Sequence, residues 1–317
     1  CPPAPVCPSP SPSPPRPPPP PPSPPPPPPP TSPPPPLSTS TPPPPPPSQV
    51  CVPRTLLWSD EFTAPQLDLA AWSYYLGTAY NNEVEVYTNR SGNVRVEGGS
   101  LVLEAHADYL GYSSGRVHTR LKRAFYPGMS AGGVVYDKVR IEARIKLPKG
   151  QGFWPAFWLL PNSATCESCG PYGAWPYSGD ISIMQAVNRM DCALSSMHYG
   201  GYQASGAAYG SETKYCPTSY NLALEWHTYA LEWMADQMWW YVDDMLYFTT
   251  VSRSLSKDGW WTASQTSTAP GANAPFDSPF YIIFNLAIGG TGPGGGPDAT
   301  TTFPARMLVD YVRVWGY

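Results

Sequence analysis

The sequence predicts an all-β fold, a β-sandwich of jelly-roll type, preceded by an extended polyproline II segment. Three observations predict it. Short runs of alternating apolar and polar residues recur from Thr55 to Tyr317. Glycine, proline, asparagine and aspartate bound those runs. No stretch carries the 3.6-residue period of an amphipathic helix.

The extended segment comes first in the chain. Of 46 prolines, 31 fall within residues 1–50, so composition divides the chain into an arm (1–50) and a globular part (51–317). Proline fixes φ near −65° and lacks an amide donor, which excludes helix and sheet from such a run. Polyproline II remains, and at ~3.1 Å per residue positions 8–50 would span on the order of 130 Å. A spacer is the plain reading, and a ligand for a proline-binding domain fits poorly with a secreted chain.

The strands follow in order. "NVRVEGGSLVLEAHA" (93–107), "KVRIEARIKL" (138–147), "HTYALEWM" (227–234), "WWYVDDMLYF" (239–248) and "MLVDYVRVWGY" (307–317) all alternate with period two. "GG" at 98–99 and "DD" at 243–244 sit where hairpin turns belong. "GGTGPGGGPD" (289–298) lacks the Lys-Ser/Thr ending of a phosphate loop and reads as a surface loop.

Composition narrows the functions available. A net charge of −4 without a long basic run argues against nucleic-acid binding. No window approaches 18 consecutive apolar residues, so no membrane span is expected. Only 13% of residues are charged while hydroxyl, amide and aromatic residues abound, a profile suited to an extracellular, carbohydrate-facing protein. The chain opens at Cys1 with no signal peptide, which reads as the product of processing. Seven cysteines (Cys1, Cys7, Cys51, Cys166, Cys169, Cys192, Cys216) read as a disulfide framework with one left over. "CESC" at 166–169 has zinc half-site spacing, but no second half follows.

Two resemblances sharpen this. The "SPPPP" blocks resemble the hydroxyproline-rich glycoproteins of plant and green-algal walls. That implies hydroxylated, O-glycosylated prolines, with Pro18, Pro19, Pro20, Pro25, Pro26, Pro27, Pro34, Pro35, Pro44 and Pro45 as representative positions. The second resemblance covers nearly all of residues 55–317. "WSDEF" (58–62), "NNEVEVYTNRSGNVRVEGGSLVLEA" (81–105), "ARIKLPKGQGFWPAFWLLP" (143–161), "SMHYGG" (196–201), "ALEW" (230–233) and "PFYIIFNLAIGG" (279–290) resemble family 16 glycoside hydrolases of the laminarinase type. The resemblance implies a concanavalin-like two-sheet jelly roll with a β-glucan cleft. It also implies retaining hydrolysis of β-1,3- or mixed-linkage glucans, or transglycosylation.

The family's catalytic strand reads Glu-x-Asp-x-Met-Glu, and "GDISIMQA" (179–186) departs from it at three positions. Asp180 stands at the nucleophile position, Ser182 at the tuning aspartate and Gln185 at the acid/base. Residues 180 and 182 share a strand face, whereas 185 has the opposite parity and needs a β-bulge to join them. A retaining glycosidase needs two carboxyl groups about 5–5.5 Å apart. Gln185 cannot surrender a proton, and the aspartate carboxylate stands back by one carbon–carbon bond, roughly 1.5 Å.

The resemblance further implies sugar contacts at Trp154 and Trp158, a histidine beside the catalytic strand at His198, and polar cleft contacts at Asn82 and Arg116. It implies a structural calcium at Asp310, with Glu61 as a weaker ligand. Asn89 in "NRS" is the N-glycosylation sequon. The expected function is a secreted structural glycoprotein of a matrix, wall layer or surface filament. It self-assembles through its glycosylated arm and carries a silent, glycan-binding glucanase-like domain. The alternatives are an active retaining β-1,3-glucanase or transglycosylase tethered to a wall, and a soluble lectin; all three take a β-glucan or wall polysaccharide as partner.

Overall fold

The computed structural model describes residues 54–219, 221–223 and 225–317. The proline arm and its modification sites, with Cys1, Cys7 and Cys51, lie outside the described residues. The described elements are strands, and two large sheets enclose one buried core. The all-β sandwich expected from the alternation is what the structure contains.

Seven strands form the sheet that carries the site: β1 (Ser73–Tyr74), β2 (Arg116–His118), β3 (Phe153–Pro161), β4 (Asp180–Gln185), β5 (Ala193–Tyr202), β6 (Ala208–Tyr215) and β7 (Phe280–Ile288). Their order across the sheet is β6-β5-β4-β3-β7-β2-β1. Period-two alternation sorts β3 cleanly: Phe153, Phe157 and Leu159 enter the core, while Trp154, Ala156, Trp158 and Leu160 face the other way, into a cleft. In β7 Phe280, Ile282, Phe284, Leu286 and Ile288 enter the same core, and Phe284 stacks on its register partner Phe157 at 4.7 Å. Every residue of β7 is buried, which is why "FYIIFNLAI" reads as a continuous apolar run broken only by Asn285.

The ten-stranded sheet closes the other side of the core. In Lys138–Lys146, Val139, Ile141, Ala143 and Ile145 point inward, and Arg140, Glu142 and Arg144 point outward. The outward charges pair, with Arg140 Nε donating to Glu142 Oε2 at 2.7 Å. The hairpin between Gln237–Val242 and Met245–Val251 turns on Asp243 and Asp244, both at positive φ (50° and 60°). Gly98 and Gly99 do the same (60° and 77°) between Val94–Glu97 and Ser100–Asp108. Cys192 and Cys216 form a disulfide just beyond the Ala193–Tyr215 register pair, locking the paired ends of β5 and β6.

Strand β4 departs from regularity at the position the sequence required. Its register shifts between Ser182 and Gln185 against β5, and correspondingly against β3. Ile183 and Met184, although consecutive, are both buried in the core, so Gln185 returns to the face of Asp180 and Ser182. A bulge leaves backbone groups without ladder partners. Here side chains supply them: Trp240 Nε1 donates to Ser182 O at 3.0 Å and Ser195 Oγ donates to Ile183 O at 2.7 Å.

Trp240→Phe leaves the Ser182 carbonyl buried without its donor. A loss of about 2–4 kcal/mol is expected, from the unsatisfied group plus the volume removed. Denaturant unfolding measures it; a change below ~1 kcal/mol would show that the bulge does not lean on the indole.

Candidate functional site

The cleft has a volume of about 430 Å³ and runs across β5, β4, β3 and β7. His198, Asp180, Ser182, Gln185, Trp154, Ala156, Trp158 and Asn285 come from those strands. Tyr80, Asn81, Glu83, Ser168 and Trp175 come from the loops that wall it. Tryptophan faces with polar groups between them make a surface that stacks on sugar rings and reads their hydroxyls.

Asp180 is only 7% exposed and fully engaged. Its Oδ2 accepts from Trp175 Nε1 at 2.6 Å, and its two oxygens lie 3.0 and 3.1 Å from His198 Nδ1. Asp180 and His198 are register partners on neighbouring strands, so the backbone itself sets this pair. The Asp180 charge raises the His198 imidazole above its ordinary range, against the opposing effect of burial. A raised histidine stabilises the fold fully below its unfolded value near 6.5, and that contribution is lost as pH rises through the folded value.

Gln185 is held at both ends. Its Oε1 accepts from Trp154 Nε1 at 2.9 Å, and its Nε2 donates to Ser182 Oγ at 2.6 Å and to Ser196 Oγ at 3.4 Å. Ser182 and Gln185 are therefore hydrogen-bonded to each other, while Asp180 is held separately by Trp175 and His198. Among the described residues, the carboxyl groups lining the cleft are Asp180 and Glu83.

The structure gathers Asp180, Ser182, Gln185, His198, Trp154 and Trp158 in one cleft. Asn82 is exposed in a turn that it forms with Asn81, both at positive φ (59° and 61°), and its neighbours Asn81 and Glu83 line the cleft instead. Arg116 is 2% exposed and lies beneath the surface. It pairs with Glu167 and is sandwiched by Tyr75 at 4.4 Å and Trp158 at 5.2 Å, so it supports the tryptophan from below. Asn89 is exposed on a loop. Cys166 and Cys169 form a disulfide, which removes the zinc half-site reading. That bridge closes the loop whose Glu167 accepts from Tyr80 Oη at 2.8 Å and whose Ser168 carbonyl accepts from Trp175 N at 2.9 Å.

The residues expected to hold calcium do not fit one. Asp310 Oδ2 lies 2.8 Å from Arg144 Nη1, and both oxygens of Glu61 accept from Arg313. Each carboxylate already has a cationic partner, and the arginine holds Glu61 below its ordinary carboxyl range. No cluster of three or more His, Cys, Asp or Glu side chains suited to a metal occurs among the described residues.

Sequence reasoning missed Trp175, Tyr80, Glu83 and Asn285. Trp175 carried a usable signal, five residues before Asp180 in "WPYSGD". Asn285 carried a better one, as the single polar residue of an otherwise apolar and aromatic strand.

Comparison with known proteins gives a consistent result. The family model described as glycosyl hydrolases family 16 matches residues 85–272. The beta-glucanase of Rhodothermus marinus is 36% identical over 271 residues, covering 82% of this chain and 84% of that protein. The glucan endo-1,3-beta-glucosidase A1 of Niallia circulans is 33% identical over 285 residues, or 82% of this chain; the match spans 37% of that longer protein. The laminarinase catalytic domain of Thermotoga maritima superposes with a TM-score of 0.66 at 31% identity, covering 83% of this chain and 98% of that one. A mutant of the glucanase SCLam with a glutamate changed to serine, crystallised with a β-glucan oligosaccharide at its active site, gives 0.64 at 33% identity over 83% and 95%. These findings overturn the expectation of a structural glycoprotein. The relatives reported above are named as glucanases or laminarinases, and they favour the glucanase alternative.

In Asp180→Asn the charge that raises His198 is gone, so its titration midpoint falls. Imidazole proton shifts followed by NMR from pH 5 to 9 measure it, and an unchanged midpoint would contradict the pairing.

Proposed function

The chain belongs to glycosyl hydrolase family 16, and on that footing we propose that it acts on β-1,3-glucan as a hydrolase whose only attacking carboxylate is Asp180. The observation that carries this reading is Asp180 itself, held by Trp175 and His198 on the bulged strand at the centre of a tryptophan-lined cleft. A glucan chain lies across β3 and β4, stacked on Trp154 and Trp158. Asp180 attacks the anomeric carbon, the glycosidic C–O bond breaks and a glycosyl ester forms on the aspartate. Water then hydrolyses that ester, releasing the sugar and restoring the carboxylate. In the first step the leaving oxygen takes its proton from water, because Gln185 has none to give.

The cost of that arrangement is calculable in order of magnitude. General acid assistance is worth about 10²–10⁴-fold, and displacement of the nucleophile by ~1 Å costs about 10²-fold. Turnover is accordingly slow beside a two-carboxylate enzyme. The disulfides Cys166–Cys169 and Cys192–Cys216 support secretion into an oxidising compartment. The proline-rich composition of residues 1–50 supports a glycosylated tether to a wall polysaccharide.

A second reading, glucan binding without turnover, is favoured by one observation. The Gln185 amide is tied at both ends, to Trp154 and to Ser182, as a fixed part of the binding wall. Incubation with laminarin and lichenan, followed by reducing-end measurement, separates the two. Slow release that Asp180→Ala abolishes is expected; release no greater than that of Asp180→Ala would remove the hydrolase reading. Combining Asp180→Glu, Ser182→Asp and Gln185→Glu is expected to raise the rate by about 10²–10⁴-fold or more.

A further inference from the structure

Besides Asp180, the cleft wall carries the carboxyl group of Glu83, with a second, Glu85, behind it, and the proposed cleavage uses neither. Glu83 lines the cleft, and Glu85, two residues further on, is 0% exposed. Glu85 Oε2 accepts from the Ile288 amide at 2.7 Å. Its Oε1 is buried without a hydrogen-bond partner, and the Glu83 carboxyl and the Tyr87 hydroxyl are the side-chain groups beside it. Two carboxylates offer each other only acceptors, so the contact closes when one of them holds a proton. Burial first, and then the Glu83 charge, push the Glu85 carboxyl up to about 8. The proton therefore stays at neutral pH.

Glu83 passes the constraint along the cleft. Its Oε2 accepts from Tyr87 Oη at 3.1 Å, and Tyr87 Oη accepts from Asn285 Nδ2 at 3.1 Å. Asn285 Oδ1 accepts from Trp158 Nε1 at 2.7 Å. A continuous row of hydrogen bonds thus joins the buried carboxyl to the tryptophan at the cleft's surface. The other groups that face it are few. Asn81 Nδ2 reaches Glu83 Oε1 at 3.4 Å, and Tyr75 meets Tyr87 edge-on at 5.9 Å. Arg116 acts on Tyr87 and Glu83 from β2, with its own charge paired to Glu167.

We propose that Glu85 is a positioning residue of the glucan cleft: the proton it shares with Glu83 fixes that carboxylate and, through Tyr87 and Asn285, the Trp158 indole, so that losing the proton loosens glucan binding. This rests on the reading of the cleft as a glucan site. Glu83, with its charge kept and its orientation set, is the acceptor for sugar hydroxyls at this end of the chain. When Glu85 ionises, the two carboxylates repel, and Glu83 and Tyr87 lose their fixed arrangement.

Glu85→Gln is the decisive variant, because the carboxamide still donates to Glu83 and still accepts from Ile288 but has no proton to lose. With laminarihexaose as probe, calorimetry from pH 6 to 10 is expected to show the wild-type Kd rising about tenfold per pH unit above pH 8. Glu85→Gln is expected to match wild type at pH 6 and to stay flat. A flat wild-type profile, or a variant that follows the wild-type rise, would overturn the proposal. Infrared spectroscopy reads the proton without any glucan. A protonated-carboxyl band is expected at pH 7, absent in Glu85→Gln and lost by pH 10, and its absence from the wild type overturns the proposal. A chain that shows the band but binds no laminarihexaose at any pH overturns the glucan reading and the role of Trp158 together. Stability gives a further check with a definite sign. A carboxyl raised from 4.5 to about 8 contributes fully below pH 4.5, and its contribution is lost as pH rises through 8. Glu85→Gln should therefore melt above wild type at pH 9 and level with it at pH 4.

Discussion

Ile183 and Met184 are consecutive residues of one strand, and both enter the core. Every feature of the site depends on that irregularity. A regular strand would send Gln185 into the core and leave Met184 in the cleft, a place where its side chain has nothing to read on a sugar. The apolar side chains of Ile181, Ile183 and Met184 anchor the bulge from below, and Trp240 and Ser195 satisfy its two freed carbonyls. Trp240 reaches from the opposite sheet, so the geometry of the cleft is tied to the closure of the whole sandwich.

Above that scaffold the cleft is built as two walls with different electrostatics. On one side Asp180 is held by an indole and an imidazole, which keep an anion in place without a second carboxylate beside it. On the other, Glu83 and Glu85 share one proton, so two carboxyl groups present one charge. Between them Trp154 and Trp158 offer their faces, and each indole N–H is used up by a side-chain amide, Gln185 or Asn285. The two tryptophans are thereby fixed in rotation, which favours stacking of a sugar over adaptation to it. At the base of the cleft serine and glutamine satisfy each other, with Gln185 Nε2 donating to Ser182 Oγ.

Much of this was legible in the sequence, for local reasons. Alternation gave the strands, Asp243–Asp244 and Gly98–Gly99 gave their hairpins, and the parity of residues 180, 182 and 185 demanded the bulge. What was illegible depends on distant contacts. Trp240 lies 58 residues from the carbonyl it caps, and nothing local marks it as more than a core residue. Arg116 looked like a cleft contact, but tertiary packing places it under Trp158 and against Glu167. Glu61 and Asp310 looked available to a cation until Arg313 and Arg144 folded onto them. The Glu83–Glu85 pair was printed in "NNEVEVY", yet only burial reveals that one of the two must be protonated.

The proposed reaction keeps the nucleophile's charge at Asp180 and dispenses with a protein acid. An aryl β-laminaribioside with a strongly activated leaving group, such as 2,4-dinitrophenyl, needs no proton to depart, whereas laminarin does. By that reaction such a glycoside is expected to be cleaved far faster than laminarin, at a rate that depends steeply on leaving-group basicity, and Asp180→Ala is expected to abolish the cleavage. Comparable rates for activated and natural substrates, or activity that survives the loss of Asp180, would contradict the proposed reaction.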